Sequence, residues 1–285
     1  MKIKSLSLLF VLFYLAACSS TQLIVPPVTT MPTNDYKVGK FVWYDLLTDD
    51  VLAVKKFYGG LFGWQFEGEE RIDAEYTVIL QSGTPIGGIV FRKEKKVDHS
   101  QWLSYLSVAD VDRAVEMIKA KNGIIYREPF ELPNRGRVAV VADPQGAAIV
   151  LIKSQTGDPE DRDLITNNWL WTELFASDIK KAADFYSQLV GYTVEEFDTG
   201  LKIPYYVFKQ NSTLRGGLLK IPWEGVKPNW LPYVLVDDPG KIAGQVQSLG
   251  GQVLIAPNKD IRQGSVALIQ DPMGAVFAIQ KWPIE

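Results

Sequence analysis

The chain has 285 residues, of which 47% are hydrophobic and 22% charged, and its formal net charge is −3. This length favours two globular domains over one. The negative charge argues against a nucleic-acid partner, because binding to phosphates needs a concentrated basic surface. The chain contains one cysteine, which excludes an intramolecular disulfide bond.

Residues 1–17 are predicted to be a signal peptide. Two lysines precede an apolar run over residues 8–17, which is too short to span a bilayer. The segment Leu15-Ala16-Ala17-Cys18 resembles the bacterial lipobox, in which cleavage leaves a cysteine that becomes lipidated. The alternative is an ordinary signal peptide that is cleaved elsewhere and leaves Cys18 unmodified.

Residues 18–37 are interpreted as the lipidated cysteine and a flexible linker, because they are rich in Thr and Pro and lack apolar periodicity. Several acyl chains on Cys18 would anchor the protein firmly in a membrane. Ser19 and Ser20 resemble the sorting pattern of outer-membrane lipoproteins. The prediction is a lipid-anchored protein of the cell envelope, facing the periplasm from the outer membrane if the cell is Gram-negative.

The remainder of the chain is a duplication, because rare residues recur with an offset of 128. The matching pairs are Trp43 and Trp171, Phe57-Tyr58 and Phe185-Tyr186, Trp102-Leu103 and Trp230-Leu231, and the Asp-Pro-x-Gly segments at 143–146 and 271–274. The two copies predict domains at residues 38–155 and 166–283.

Each copy divides into two halves, in which a strand and a helix precede several strands. The first helix is expected to follow Thr48 or Asp49 as its N-cap, and its counterpart Ser177; the helices of the second halves follow Asp110 and Asp238. Apolar side chains at helical spacing support all four helices. Each Asp-Pro-x-Gly segment predicts a hairpin turn. The predicted fold class is α+β, with four βαβββ modules.

This plan resembles the vicinal oxygen chelate superfamily, which includes glyoxalase I, extradiol dioxygenases and bleomycin-resistance proteins. The resemblance covers residues 40–282. The segments Trp43-Tyr44-Asp45-Leu46 and Trp171-Thr172-Glu173-Leu174 are similar to the opening of each copy in a glyoxalase-like branch. The sequence leaves open which modules pair with each other.

The resemblance implies a divalent metal held by His, Glu or Gln on the first and last strands of paired modules. The matching positions hold residues that do not coordinate metals in this way: Trp43, Ser104, Val150, Trp171, Pro232 and Ala278. His99, the one histidine, lies in a polar segment away from these positions. We therefore expect no metal and no other cofactor.

Two pairs of side chains are candidates to line the cups that the modules would form. Residues two apart on a strand share a face, so Asp45 lies beside Trp43 and Glu173 beside Trp171. The acids either anchor a ligand or act as general bases, or they accept hydrogen bonds and hold the strands in place. The structural role is favoured, because buried carboxylates are usually paired.

Arg137 and Tyr206 are further candidates for binding a ligand. Arg137 would clamp a ligand carboxylate with two hydrogen bonds, although a solvated arginine fits the sequence equally well. Only one of Tyr205 and Tyr206 can line a cup, because neighbouring side chains on a strand alternate. Trp102 and Trp230 are interpreted as core residues.

The leading hypothesis is a metal-free, glyoxalase-like lipoprotein that binds a small organic ligand in aromatic-lined cups, as bleomycin-resistance proteins sequester a drug. One alternative is an enzyme, either a glyoxalase-like lyase or isomerase or a dioxygenase. The other alternative is a lipid-tethered scaffold whose cups are filled by its own side chains.

Overall fold

The computed structural model describes residues 25–93, 99–161, 163–197 and 204–283. The signal peptide and Cys18 lie outside these residues. None of the helices in the described ranges combines the length and apolar character needed to cross a membrane.

The first domain is a sheet of eight strands with two helices on one face. Its elements are β1 (Phe41–Thr48), α1 (Val51–Phe62), β2 (Gln65–Glu67), β3 (Tyr76–Gln81), β4 (Thr84–Phe91), β5 (Gln101–Ser107), α2 (Val111–Ala120), β6 (Ile124–Leu132), β7 (Gly136–Ala142) and β8 (Ala148–Ser154). The strand order across the described part of this sheet is β2-β3-β4-β1-β5-β8-β7-β6.

The second domain repeats this plan. Its elements are β9 (Trp169–Ala176), α3 (Ile179–Val190), β10 (Thr193–Phe197), β11 (Tyr205–Gln210), β12 (Thr213–Lys220), β13 (Asn229–Leu235), α4 (Pro239–Val246), β14 (Gln252–Ile255), β15 (Val266–Gln270) and β16 (Val276–Gln280). The order β10-β11-β12-β9-β13-β16-β15-β14 matches that of the first sheet. The prediction of an α+β fold with four βαβββ modules is confirmed.

The two modules of one copy join edge to edge through their first strands. β1 pairs with β5 and β9 pairs with β13, both antiparallel. The helix-covered faces then pack across copies. Phe57 and Tyr58 of α1 share a core with Phe277 of the fourth module. Tyr186 of α3 shares another core with Ile118 of α2. Module pairing, which the sequence left open, thus occurs within a copy in the sheets and between copies in the helical layer.

The caps of α1 and α3 lie later than the sequence suggested. Asp50 caps α1 by accepting a hydrogen bond from the Ala53 backbone N–H at 2.9 Å, and Asp178 caps α3. Thr48 is the last residue of β1, and its hydroxyl accepts from the Asp50 N–H. An aspartate in extended backbone reaches the third N–H of the helix, which decides the boundary. Asp110 and Asp238 cap α2 and α4 as predicted.

The opposite, helix-free face of each sheet forms a cup. We define the first cup as the face lined by Trp43, Asp45, Tyr105 and Val150, and the second cup as the face lined by Trp171, Glu173, Tyr233 and Ala278.

Candidate functional site

A buried carboxylate lies at the centre of the first cup. Asp45 Oδ1 accepts hydrogen bonds from Trp43 Nε1 at 2.8 Å and from the Tyr76 hydroxyl at 2.9 Å. Its other oxygen, Oδ2, accepts from the Tyr105 hydroxyl at 2.6 Å. Because three protein donors satisfy the carboxylate, its burial is offset by hydrogen bonds.

The second cup repeats this arrangement around Glu173, with one additional donor. Glu173 Oε1 accepts from Trp171 Nε1 at 2.8 Å, from the Tyr205 hydroxyl at 2.7 Å and from Arg262 Nη2 at 2.6 Å. Glu173 Oε2 accepts from the Tyr233 hydroxyl at 2.5 Å. With four donors on two oxygens, both oxygens of Glu173 are already engaged by the protein.

An arginine lies near the acid in each cup, fully buried in the case of Arg135 and largely buried in the case of Arg262, but the two approach the acid differently. Arg262 forms a direct ion pair with Glu173. Arg135 instead donates to the Tyr76 hydroxyl at 3.0 Å, and its guanidinium carbon lies 4.0 Å from the centre of the Trp43 ring. In the first cup, the arginine is therefore linked to the acid through the Tyr76 hydroxyl, which accepts from Arg135 and donates to Asp45.

The backbone of Arg262 is unusual, since its φ of 46° lies in the left-handed region that non-glycine residues seldom adopt. The side chain is anchored by Glu173 and also donates to Gln280 Oε1 at 2.8 Å. Burial opposes the charge of Arg262, but the Glu173 carboxylate together with the hydroxyls of Tyr233 and Tyr205 holds the pKa of this guanidinium above its ordinary value. The ion pair offsets the backbone strain at this residue.

The four tyrosines around the acids are protonated donors at neutral pH. Burial raises the pKa of all four hydroxyls, and the neighbouring carboxylate raises it further, in Tyr76, Tyr105, Tyr205 and Tyr233. A neutral hydroxyl donates one hydrogen bond, and here the acid receives it. Neither acid retains an unengaged oxygen with which to act as a general base.

Two glycines create the space for this contact. A Cβ atom at Gly88 would lie 2.1 Å from the Tyr76 hydroxyl and 2.5 Å from Asp45 Oδ1. A Cβ atom at Gly217 would lie 2.2 Å from the Tyr205 hydroxyl. Both glycines pair in parallel register with the residue that carries the acid. A side chain at either position would push the tyrosine away from the carboxylate.

The structure brings together four of the residues predicted from the sequence. Trp43 lies with Asp45, and Trp171 with Glu173, on the cup faces as the alternation of strand residues predicts. Trp102 and Trp230 lie in the cores on the other face, where they donate to the hydroxyls of Tyr58 and Tyr186; these pairs are Trp102–Tyr58 and Trp230–Tyr186.

The predictions for Arg137 and Tyr206 require correction. Arg137 lies on the helix-covered face of β7, where it forms ion pairs with Asp112 and Glu131. Tyr206 packs into the core between the domains. The cup-facing residue of the tyrosine pair is Tyr205.

The sequence did contain signals for the residues that were missed. Tyr105 and Tyr233 keep the offset of 128, and Tyr76 and Tyr205 are 129 apart, as are the paired glycines beside them. The arginines have no such signal, because Arg135 and Arg262 are 127 apart and so occupy different positions in the repeat.

The second cup has an aromatic rim that is exposed to solvent. Trp223 is 41% exposed and stacks on Phe175 of the cup, with the ring centres 6.2 Å apart. Phe197, which is also exposed, pairs across the sheet with Tyr205 and therefore shares its face. Trp171 retains partial exposure, whereas Trp43 is buried. Aromatic surface at the mouth of a cup favours flat apolar molecules.

A cleft of about 460 Å³ lies between the domains, next to the starts of β1 and β9. Among the charged residues that line it, Asp161 pairs with Lys40 at 2.8 Å and with Arg215 at 2.7 Å. The two cations hold the pKa of Asp161 down at about 2, against the opposing effect of partial burial. This cluster joins the interdomain segment to both domains.

The donors in the cups do not fit a divalent metal. Within the described residues, no group of three His, Cys, Asp or Glu side chains is placed to hold one. Each cup has one carboxylate, whose oxygens are occupied by Trp, Tyr and, in the second cup, Arg donors. The positions matching family ligands on β8 and β16 hold Val150 and Ala278, which have no donor atoms in their side chains.

Comparisons with known proteins show what this chain is similar to. Residues 40–151 match the model of the Glyoxalase/Bleomycin resistance protein/Dioxygenase superfamily. A putative glyoxylase, CFP32 of Mycobacterium tuberculosis, is 29% identical over 252 residues, which cover 87% of this chain and 97% of the relative. The anthracycline biosynthesis protein DnrV of Streptomyces peucetius is 28% identical over 257 residues, covering 85% and 92% of the two chains.

Solved structures share the arrangement of both domains. The Mn(II)-bound glyoxalase from Novosphingobium aromaticivorans matches with a TM-score of 0.60 and 17% identity, covering 88% of this chain and 84% of that chain. The 2,3-dioxygenase LapB from Pseudomonas sp. KL28 matches with a TM-score of 0.54 and 12% identity, covering 85% and 92%. The first domain thus matches the model of the glyoxalase, bleomycin resistance protein and dioxygenase superfamily, and the second domain repeats the topology of the first.

Proposed function

We propose that this protein is a metal-free, lipid-anchored binding protein of the cell envelope, which holds a flat organic molecule in its second cup. The observation that carries this proposal is the exposed aromatic rim of Trp223 and Phe197 above a buried polar floor around Glu173. The rim supplies apolar contact area, and the floor keeps the charges of the cup neutralised.

The saturation of the acids supports binding over catalysis. A general base needs a lone pair directed at the substrate, within hydrogen-bond distance. The oxygens of Glu173 accept four hydrogen bonds from the protein, so that proton abstraction would require the cup to rearrange. The lack of a metal donor set among the described residues removes the usual support for Lewis-acid chemistry in these cups.

The relatives indicate a class of ligand. One relative is named an anthracycline biosynthesis protein, and anthracyclines are flat, fused-ring molecules with carbonyl groups. Such a molecule matches an aromatic rim, since ring stacking supplies contact area with little loss of conformational freedom.

Fluorescence titration with the anthracycline doxorubicin tests the proposal. The mature chain with Cys18→Ser should quench doxorubicin emission saturably, with one site. Trp223→Ala should weaken binding about tenfold, in line with the loss of one aromatic contact of about 1–1.5 kcal/mol. Leu52→Ala is the matched control, because Leu52 is also 41% exposed but lies on α1 of the first domain.

Metal analysis separates binding from the enzymatic alternative. After incubation with Zn²⁺, Ni²⁺, Mn²⁺ and Fe²⁺ and desalting, mass spectrometry should find no stoichiometric metal. Retained metal would favour a glyoxalase-like lyase or isomerase or a dioxygenase. A metal-free chain that binds neither doxorubicin nor other flat aromatic molecules would instead favour a scaffold.

A further inference from the structure

Residues 25–29, which we call the N-terminal strap, lie in the first cup. Val25 is 1% exposed and Val28 is 5% exposed, although both belong to a segment without secondary structure. Val28 packs in the apolar cluster that contains Trp43 and Tyr105. The strap therefore buries apolar side chains on the surface that corresponds to the open mouth of the second cup.

The polar contacts of the strap are made by backbone carbonyl groups. Arg135 Nε donates to the Pro26 carbonyl oxygen at 2.7 Å, and Asn134 Nδ2 donates to the Val25 carbonyl oxygen at 3.4 Å. Arg135 is fully buried, and its Nη1 has no hydrogen-bond partner. The arginine of this cup thus uses part of its donor capacity on a carbonyl of the strap and has further capacity left.

Hydrogen bonds from backbone N–H groups of this segment to the first domain begin only after the strap. The backbone N–H groups of Thr33 and Asn34 both donate to the Thr156 carbonyl, and the Lys37 N–H donates to Asp158 Oδ2 at 2.8 Å. The strap itself adds no strand to the described sheet, and its two consecutive prolines favour a stiff extended backbone. Its hold on the cup consists of side-chain burial and two carbonyl contacts.

We propose that the first cup is a second binding site, and that the strap is its built-in, exchangeable occupant. The Pro26 carbonyl marks where a ligand carbonyl binds Arg135, and Val28 marks where its apolar part meets Trp43. The ligands of the cups are accordingly apolar molecules that carry a carbonyl group. This last step rests on the proposed function, whereas occupation of the cup by an exchangeable peptide does not.

A fluorescein-labelled peptide of residues 25–34, with the sequence VPPVTTMPTN, tests the exchange by fluorescence anisotropy. Val28→Asp places a charge in the apolar cluster and should expel the tethered strap, so this variant should bind the free peptide at least tenfold more tightly than the wild-type chain. Met31→Asp is the matched control, because this substitution introduces the same charge three residues later, at a position that is 75% exposed.

Circular dichroism first establishes that the variants are folded. If Val28→Asp does not fold, Val25→Asp serves as the second strap variant. A peptide carrying the Val28→Asp change should not bind. If a folded Val28→Asp or Val25→Asp chain fails to bind the wild-type peptide, the proposal is overturned.

Doxorubicin titration of the same variants distinguishes this proposal from the proposed function. Release of the strap should raise the stoichiometry from one site to two, and added unlabelled peptide should return it to one. A folded variant that binds doxorubicin at one site and ignores the peptide would refute the exchange and leave the proposed function standing. Peptide binding without any doxorubicin binding would refute the proposed ligand class and leave the exchange standing.

Discussion

Asp45 and Glu173 occupy equivalent strand positions, but Glu173 alone touches its arginine directly. Glu173→Gln leaves Arg262 buried without its counter-charge, and such a change typically costs about 3–5 kcal/mol. Asp45→Asn disturbs three hydrogen bonds while Arg135 keeps its contacts with Tyr76 and Pro26, and should cost about 1–3 kcal/mol. Urea denaturation of the two variants should show the larger loss for Glu173→Gln.

A double variant checks the reason for this difference. Combining Glu173→Gln with Arg262→Met removes both charges, so it should recover part of the stability lost in the single variant. Equal losses for Glu173→Gln and Asp45→Asn, or no recovery in the double variant, would show that the direct ion pair is not responsible.

Asp271 is a buried acid whose ionisation opposes folding. It accepts from the backbone of its turn and from the Tyr58 hydroxyl at 3.1 Å, but burial raises its pKa from 3.8 to about 6. Between these values, the folded chain holds a proton that the unfolded chain has released, so this residue's contribution to stability falls as pH rises. The free energy of unfolding of Asp271→Asn, relative to that of wild type, should therefore rise by about 2–3 kcal/mol as the pH is raised from 4 to 7.

The measurement for Asp271 is urea denaturation at several pH values. Asp184→Asn, at an exposed position on α3, is the control and should follow the wild-type curve. A constant stability difference between Asp271→Asn and wild type from pH 4 to pH 7 would contradict the prediction.

At the level of residues, alternation along the strands was sufficient to predict the Trp43–Asp45 and Trp171–Glu173 pairs. It was not sufficient for Arg137, because the start of β7 places this residue on the helix-covered face and Arg135 in the cup. A shift of one residue reverses the face of a side chain, and loop residues just before a strand carry no periodicity that fixes it.

At the level of elements, apolar spacing and cap residues predicted all four helices, but could not identify what each helix packs against. An apolar stripe on a helix indicates that this face is buried, but it does not indicate which element covers it. The structure pairs α1 with the fourth module, where Phe57 lies against Phe277 with their ring centres 6.3 Å apart. The two domains consequently share their cores.

Shared cores predict that the two domains unfold together. Phe57 is completely buried, so Phe57→Ala should cost about 3–5 kcal/mol. Differential scanning calorimetry should show one transition, shifted to lower temperature by roughly 10 °C. Leu52→Ala, at an exposed position of the same helix, should change the free energy of unfolding by no more than about 0.5 kcal/mol and so leave the transition almost unshifted. Two transitions, of which Phe57→Ala moves one, would show that the domains are independent.

For the whole molecule, duplication provides two similar cups, and the N-terminal segment makes them different. Residues 25–37 were expected to belong to a flexible linker, yet they lie against the first domain through Val28, Thr33 and Lys37. A sequence rich in Thr and Pro lacks the periodicity of helices and strands, but such a segment can still pack when a preformed apolar surface is available to it. Of the predicted linker, residues 18–24 lie outside the described residues.

The position of Val25 against the first domain gives the anchoring proposal a geometric consequence. Six residues lie between Cys18 and Val25, and a fully extended chain covers about 3.5 Å per step, so over the seven steps a lipid on Cys18 would hold Val25 within about 25 Å of the membrane surface. When the full chain is expressed in a Gram-negative host, the wild-type protein should sediment with the outer membrane, and mass spectrometry should find acyl chains on Cys18. Cys18→Ser should shift the protein to the soluble fraction, whereas Ser19→Ala, next to the cleavage site, should not. Wild-type protein in the soluble fraction with an unmodified Cys18 would refute the anchor, since firm anchoring needs several acyl chains at this position.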